Sequence, residues 1–293
     1  MSLFNRYRIR RNFSRAAAHY DEAAALQREI GMGLLESLVY AKAPPRRVLD
    51  LGCGTGFFTR LLKRRFPRAL VVGLDLAEGM LTAARARQGW LRRFRLVQGD
   101  ALALPFAEGA FDLVFSNLLL QWLEDPERAL AEARRVLAPG GLLLFSTFGP
   151  ETLAELAAAL GPKEAARRIN PFPPPEWLGE RLLALGFRHP VLERELRIRR
   201  YPSFRALAAE LKALGARNAM PGATAGLGGK AWAKGVAQRF EAGRAKDGLI
   251  PVRWEAVWGI AFAPAAGEPS SRPATSGEAL VPAERIPVRR RSA

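Results

Sequence analysis

Three glycines in five residues, Gly52, Gly54 and Gly56, follow the apolar run Val48 to Leu51 in the stretch VLDLGCGTGFFT. Glycine takes positive φ without steric cost and lets a ligand approach the main chain closely. A strand that runs into such a loop and then into a helix is a place to hold a small molecule, although an ordinary strand-to-helix turn uses the same residues. The dinucleotide fingerprint is G-x-G-x-x-G. Here the third glycine arrives one residue early, a poor match to a pyrophosphate cradle. Roughly 20 residues further on, VVGLDLAEGML puts Asp75 at the tip of a second strand, where a carboxylate can accept both hydroxyls of a ribose. Its alternative task is to cap the helix starting near Ala77. A third strand leads into QGDALALPF, where Asp100 is placed to accept from an adenine amino group and the backbone N–H of Ala101 to donate to the ring. Leu76, Met80 and Leu102 would supply apolar walls.

Other chemistries are poorly supplied. The 293 residues hold two histidines, His19 and His189, and one cysteine, Cys53. No Cys, His and carboxylate cluster has ligand spacing, so no metal is expected. A single cysteine closes no internal disulfide, which points to a reducing cytoplasm. Between two loop glycines, Cys53 reads as a small filler rather than a nucleophile. No run of about 18 apolar residues occurs, so no membrane-spanning helix is expected. The start MSLFNRYRIRRNFSR is rich in Arg and free of Asp and Glu, as transit peptides are, but apparently functional sequence begins almost at once. The formal charge of +17 suits an anionic partner such as nucleic acid, an anionic membrane or an acidic protein. A bias towards Arg with no partner is the alternative. From Pro264 onward five Arg face three Glu, so most of the excess sits on the folded body. No interleaved aromatic and basic platform of the kind that holds single strands is seen, which disfavours nucleic acid.

The elements that must position these residues alternate. Short apolar strands are predicted at 47–51, 70–75, 94–98, 111–117 and 141–147, with helices starting near Thr55, Ala77 and Pro126. That rhythm implies a doubly wound, mostly parallel sheet, with ligands beyond the carboxyl ends of its strands. Further on, helices are expected at 151–168, 175–186, 203–214 and 230–244, and strands at 190–198 and 251–262, completing a seven-stranded sheet. The last strand, PVRWEAVWGIAF, should pair antiparallel with its predecessor at the sheet edge. The chain thus divides into a helical N-terminal arm (1–45, with a helical segment at 15–40), an α/β core (46–200), a helical cap (201–249), a final strand (250–263) and a disordered basic tail (264–293).

The glycine spacing resembles the first motif of class I S-adenosylmethionine (SAM)-dependent methyltransferases, a Rossmann-like fold. With the two acidic tips and Pro139-Gly140-Gly141 in order, the resemblance implies SAM as cofactor. The glycine loop then takes the methionine tail, with Asp50 in its electrostatic surroundings and Asn117 at the methionine end. The flanks resemble one family more closely. FSRAAAHYDEAAALQ (Phe13 to Gln27), FSNLLLQW, LLLFSTFGPETL (Leu142 to Leu153) and YPSFRALAAELKALGARNAMPG are similar to the malonyl-[acyl-carrier protein] O-methyltransferases of biotin synthesis over about residues 4–262. The basic tail has no place in that pattern. The resemblance implies methylation of a free carboxylate, which needs no general base because the acid is ionised at pH 7. It also implies that Tyr20 closes over the transfer site with Gln121 assisting; Tyr20 packing the arm on the core is the structural alternative. Arg15 is a candidate carboxylate contact, or part of a solvated face. An acidic acyl-carrier protein would give the charge excess a use, docking on Arg205, Lys212 and Arg217. A monomer is expected. A SAM methyltransferase of another small acceptor, and an assembly factor of a respiratory complex on the same scaffold, are the competing readings.

Overall fold

The computed structural model describes residues 6–216 and 229–268. Its strands are β1 (Arg47–Leu51), β2 (Leu70–Asp75), β3 (Arg95–Gln98), β4 (Phe111–Asn117), β5 (Leu137–Phe148), β6 (Arg188–Tyr201) and β7 (Ile250–Phe262). Successive side chains of a strand point to opposite faces, and here both faces are apolar. Val48, Val71, Leu113 and Leu142 enter one core cluster; their chain neighbours Leu49, Val72, Val114 and Leu143 enter another. A sheet apolar on both faces must be covered on both. The helices are α1 (Arg6–Ala16), α2 (Tyr20–Ala23), α3 (Ala25–Glu36), α4 (Phe57–Arg65), α5 (Glu78–Ala86), α6 (Pro126–Val136), α7 (Ala154–Leu160), α8 (Pro162–Arg168), α9 (Pro175–Ala184), α10 (Phe204–Ala213) and α11 (Gly229–Glu241). Leu26, Ile30 and Leu34 of α3 with Phe58 and Leu62 of α4 cover the first face. Leu130 and Ala133 of α6 with Leu178 and Leu182 of α9 cover the second.

The seven strands lie in the order β3-β2-β1-β4-β5-β7-β6. Strands β1 to β5 pair in parallel, and β7 runs antiparallel to both its neighbours. The order reverses between β1 and β4, the switch point at which a doubly wound sheet opens a crevice. The last strand does pair with β6 as expected, but β7 fills the slot beside β5 and leaves β6 as the edge.

Three expected elements differ. The single leading helical segment at 15–40 is broken into α1, α2, α3 and a 3-10 turn at Ser37–Tyr40. Residues 15–26, where the breaks fall, carry no Gly or Pro to mark a stop; the break arises because the parts pack on different surfaces. Ala17 and Tyr20 join Ala77 and Met80, while Leu26 to Leu34 lie on the sheet. The helix expected at 151–168 is cut at Gly161-Pro162, where Gly161 has φ 79° and Pro162 starts α8. The tail is ordered at its start: Gly140 donates to the Pro264 carbonyl at 2.9 Å, and Arg188 pairs with Glu268 at 3.8 Å. Positions 269–293 lie outside the described residues, as does Arg217. Among the described residues no helix is long and apolar enough to cross a membrane, and no three or more His, Cys, Asp and Glu gather as metal ligands.

Candidate active site

The loop after β1 is fastened from β2. Asp75 accepts from the backbone N–H of Gly54 at 2.9 Å with one carboxylate oxygen and from that of Ala77 at 2.8 Å with the other. It thus supports the start of α5 and pins the glycine loop at once. Burial pushes the Asp75 carboxyl above the usual range, opposed by these N–H bonds. A Cβ on Gly54, whose φ is 53°, would point into open space with nothing within 4 Å. That space is a cavity at the carboxyl ends of β1 to β4. Gly52, Gly54, Asp75, Leu76, Met80, Asp100, Ala101, Leu102 and Asn117 all line it.

Asp50, Cys53 and Gly56, grouped with the cofactor loop from sequence, are not on the wall of this cavity. Asp50 is 2% exposed and accepts from the Thr59 hydroxyl at 2.5 Å behind the loop. Burial raises its carboxyl to about 7, with the Thr59 bond opposing and the charge of Asp75 adding to the rise. Cys53 packs beneath the loop, where a Cβ on Gly73 would sit 2.9 Å from its sulfur. Gly56 starts α4 at φ 74° and lets α5 approach: its Cβ would meet that of Ala84 at 2.9 Å.

Helix α1 closes the outer side, with Arg6, Ile9, Arg10 and Phe13 on the cavity wall. Arg6 donates to Asp100 Oδ2 at 2.7 Å, while Asp100 Oδ1 accepts from the Leu102 N–H at 2.9 Å. The next turn of the arm, α2, is held by Asp21. Its carboxylate accepts from the Thr55 hydroxyl of the glycine loop at 2.6 Å and pairs with Arg87 of the segment after α5 at 3.3 Å. Arg28 donates to its carbonyl. Tyr20, beside it, faces the cavity. Burial, then the charges of Asp75 and Asp21, push the Tyr20 phenol well above its ordinary range. It stays protonated at neutral pH and can donate a hydrogen bond but not take a proton.

A second cavity adjoins the first, and Phe13, Tyr20, Leu118 and Trp122 line both. Phe13 meets Trp122 edge-on at 5.0 Å between ring centroids. Leu118 holds φ 54°, and Leu153, on the far side of the second cavity, holds φ 60°. Backbone strain of this kind clusters at functional sites. Gln121 lines the second cavity but has both amide ends engaged: Nε2 donates to the Leu118 carbonyl at 2.8 Å and Oε1 accepts from Thr147 at 3.1 Å. Asn117 is similarly tied, donating to the Gln27 carbonyl at 3.0 Å and accepting from Ser146 at 2.7 Å.

Arg15 is exposed on α1 and lines neither cavity. The cation that does line the second is Arg168, at the end of α8. Sequence reading missed it, together with Arg6 and Asp21. Asp21 stands beside Tyr20 in the quoted Y-D pair, which was the available signal; Arg168 had none, because only the fold of 149–172 brings it to the cavity.

A model described as methyltransferase domain matches residues 49–145. A malonyl-[acyl-carrier protein] O-methyltransferase of Xylella fastidiosa is 43% identical over 291 residues, covering 99% of this chain and 98% of the relative. One from Halorhodospira halophila is 44% identical over 97% of this chain and 96% of its own length. The chain belongs to the malonyl-[acyl-carrier protein] O-methyltransferase family. The match at 99% coverage extends past residue 262, so the Xylella fastidiosa relative has a counterpart of the tail, while a relative from Laribacter hongkongensis matches 88% of this chain. Among solved structures, the YcgJ protein from Bacillus subtilis superposes with a TM-score of 0.56 at 18% identity, covering 79% of this chain and 97% of that one. The cyclase SpnF gives 0.50 at 23% identity over 82% of each chain. These two likenesses show the fold alone.

Membership makes the chain a SAM-dependent methyltransferase, and the first cavity fits that cofactor. It offers the open face of Gly54, the acidic tips Asp75 and Asp100 and the apolar walls Leu76, Met80 and Leu102, which suit an uncharged ribose and adenine.

Proposed function

We propose that this methyltransferase esterifies the free carboxylate of a malonyl group carried on acyl-carrier protein, in biotin synthesis, as a cytoplasmic monomer. The observation that carries the reading is the pair of cavities sharing a wall at Tyr20, in a chain that matches family members almost end to end. Asp75 would accept from the ribose hydroxyls and Asp100 from adenine, with Ala101 donating to the ring. For Asp100 that requires Arg6 to give way or to share it. Gly52, Gly54 and Asn117 would border the methionine end. SAM, when bound there, would supply an electrophilic methyl group for a carboxylate oxygen.

The residues of this chain then have to align and to exclude water, since no proton needs removing. Tyr20, fixed by Asp21 against the glycine loop, donates to the substrate and closes the passage between the cavities. Phe13, Leu118 and Trp122 keep that passage dry. Gln121 supports this wall through its bonds to Leu118 and Thr147 rather than by touching substrate. The acidic carrier would dock on Arg205 and Lys212, both exposed on α10. They lie seven residues apart, about two turns, on one face. The end of α10 reaches the second cavity through Leu211 and Leu214.

Mass spectrometry of malonyl-acyl-carrier protein incubated with the purified protein and SAM should show a gain of one methyl group. No gain, with SAM still bound, rejects the acceptor.

A further inference from the structure

The second cavity is apolar on most of its wall. Of its three amides, Gln121 is bonded at both ends, Asn170 donates to the Gln121 carbonyl at 2.8 Å, and Gln27 keeps a buried Oε1 without a partner, an acceptor that cannot serve an anion. Among the described lining residues one side chain is charged, Arg168. Its position is fixed from two sides. Nε donates to Glu164 Oε2 at 2.8 Å, and the guanidinium carbon lies 4.3 Å from the ring centroid of Trp232 in α11. The Arg168 hydrogen bond holds the Glu164 carboxyl below its usual range, so the partner is an anion at neutral pH. Glu164 takes Nε, and a ligand would meet the terminal amino groups of the fork.

We infer that Arg168 reads the negative charge of the acyl group, admitting a carboxylate-bearing thioester in preference to its neutral counterpart. The inference rests on the malonyl acceptor proposed above. A bare guanidinium gripping the reacting carboxylate would stabilise the ground state more than the transition state, in which that charge is being cancelled, and so slow turnover. The Glu164 ion pair weakens this grip. Arg168 selects the acid, and Glu164 keeps the selection from becoming a trap.

The test titrates malonyl- and acetyl-acyl-carrier protein into the enzyme saturated with S-adenosylhomocysteine. The native protein should prefer the malonyl form by about tenfold, the scale of one hydrogen bond to a charged group, and Arg168→Gln should bind both forms alike. Because that variant also removes the partner of Trp232, Glu164→Gln is the second one. It keeps the cation and releases it, so KM for malonyl-acyl-carrier protein should fall and kcat should fall with it. A merely structural ion pair would not give that split. A preference retained in Arg168→Gln, or a Glu164→Gln variant with native KM and kcat, overturns the inference. Methyl transfer by the native enzyme in either case leaves the acceptor reading standing, whereas its absence rejects that reading itself.

Discussion

Asp75 holds two backbone N–H groups with its two oxygens, so its loss both removes ribose acceptors and frees the glycine loop. Hydrogen bonds to charged groups are worth about 1.5–3 kcal/mol each. Asp75→Ala should therefore weaken SAM at least about tenfold, the loss of one such bond; calorimetry showing native affinity would remove it from the pocket. Asp50 makes a different forecast. Its folded carboxyl titrates near 7 because of burial, well above an unfolded aspartate. The native state thus holds a proton that the unfolded chain has lost, and stability must fall as pH rises from about 4 to about 7. The contribution is full below that window and gone above it. Asp50→Asn should flatten that part of the melting-temperature profile of the ligand-free protein; an unchanged profile would show that Asp50 is ionised throughout. The places of Gly52, Gly54, Asp75 and Asp100 on the cavity wall were legible in sequence because each sits at, or just past, the end of a strand. That Asp50 faces Thr59 rather than the cavity was not legible, because the side a strand residue points to is set by the packing of the helices over the sheet.

At the level of elements, the site depends on how the arm lies on the core. Gly79 of α5 faces α1 so closely that a Cβ there would stand 2.5 Å from the Ser14 carbonyl oxygen. Gly79→Ala should push α1 outward and speed SAM dissociation several-fold, measurable by stopped-flow, while the buried sheet keeps its melting temperature within a few degrees. The Asp21–Thr55 bond ties α2 to the glycine loop. Residues sharing one contact are non-additive by about 0.5–3 kcal/mol. Asp21→Asn and Thr55→Val should each lower kcat/KM, and the double variant should be little worse than either. Full additivity would mean that the bond does not set Tyr20. The strands were legible to within a few residues, since their apolar runs are short and bounded. The arm was not: nothing in an Ala-rich run says where packing on α5 ends and packing on the sheet begins.

Across the whole molecule, the charge of +17 is a long-range property. Attraction to an acidic carrier is screened beyond a Debye length of about 8 Å at physiological salt. Raising salt from low to physiological strength should cut kcat/KM for the carrier-bound substrate, and Arg205→Glu with Lys212→Glu should remove most of that salt dependence. A coenzyme A thioester equally affected by the two reversals would reject α10 as the docking face.

The slot taken by β7 has a consequence for the birth of the chain. Strand β5 is complete by residue 148 and β6 by 201, yet the strand that joins them ends at 262. As the polypeptide leaves the ribosome, β5 therefore shows an open hydrogen-bonding edge, and β6 has no mate, for most of the remaining synthesis. Unpaired edges invite pairing with other chains. The arginines on β6, at 188, 194, 197, 199 and 200, give that unpaired strand the charge that disfavours pairing with another copy.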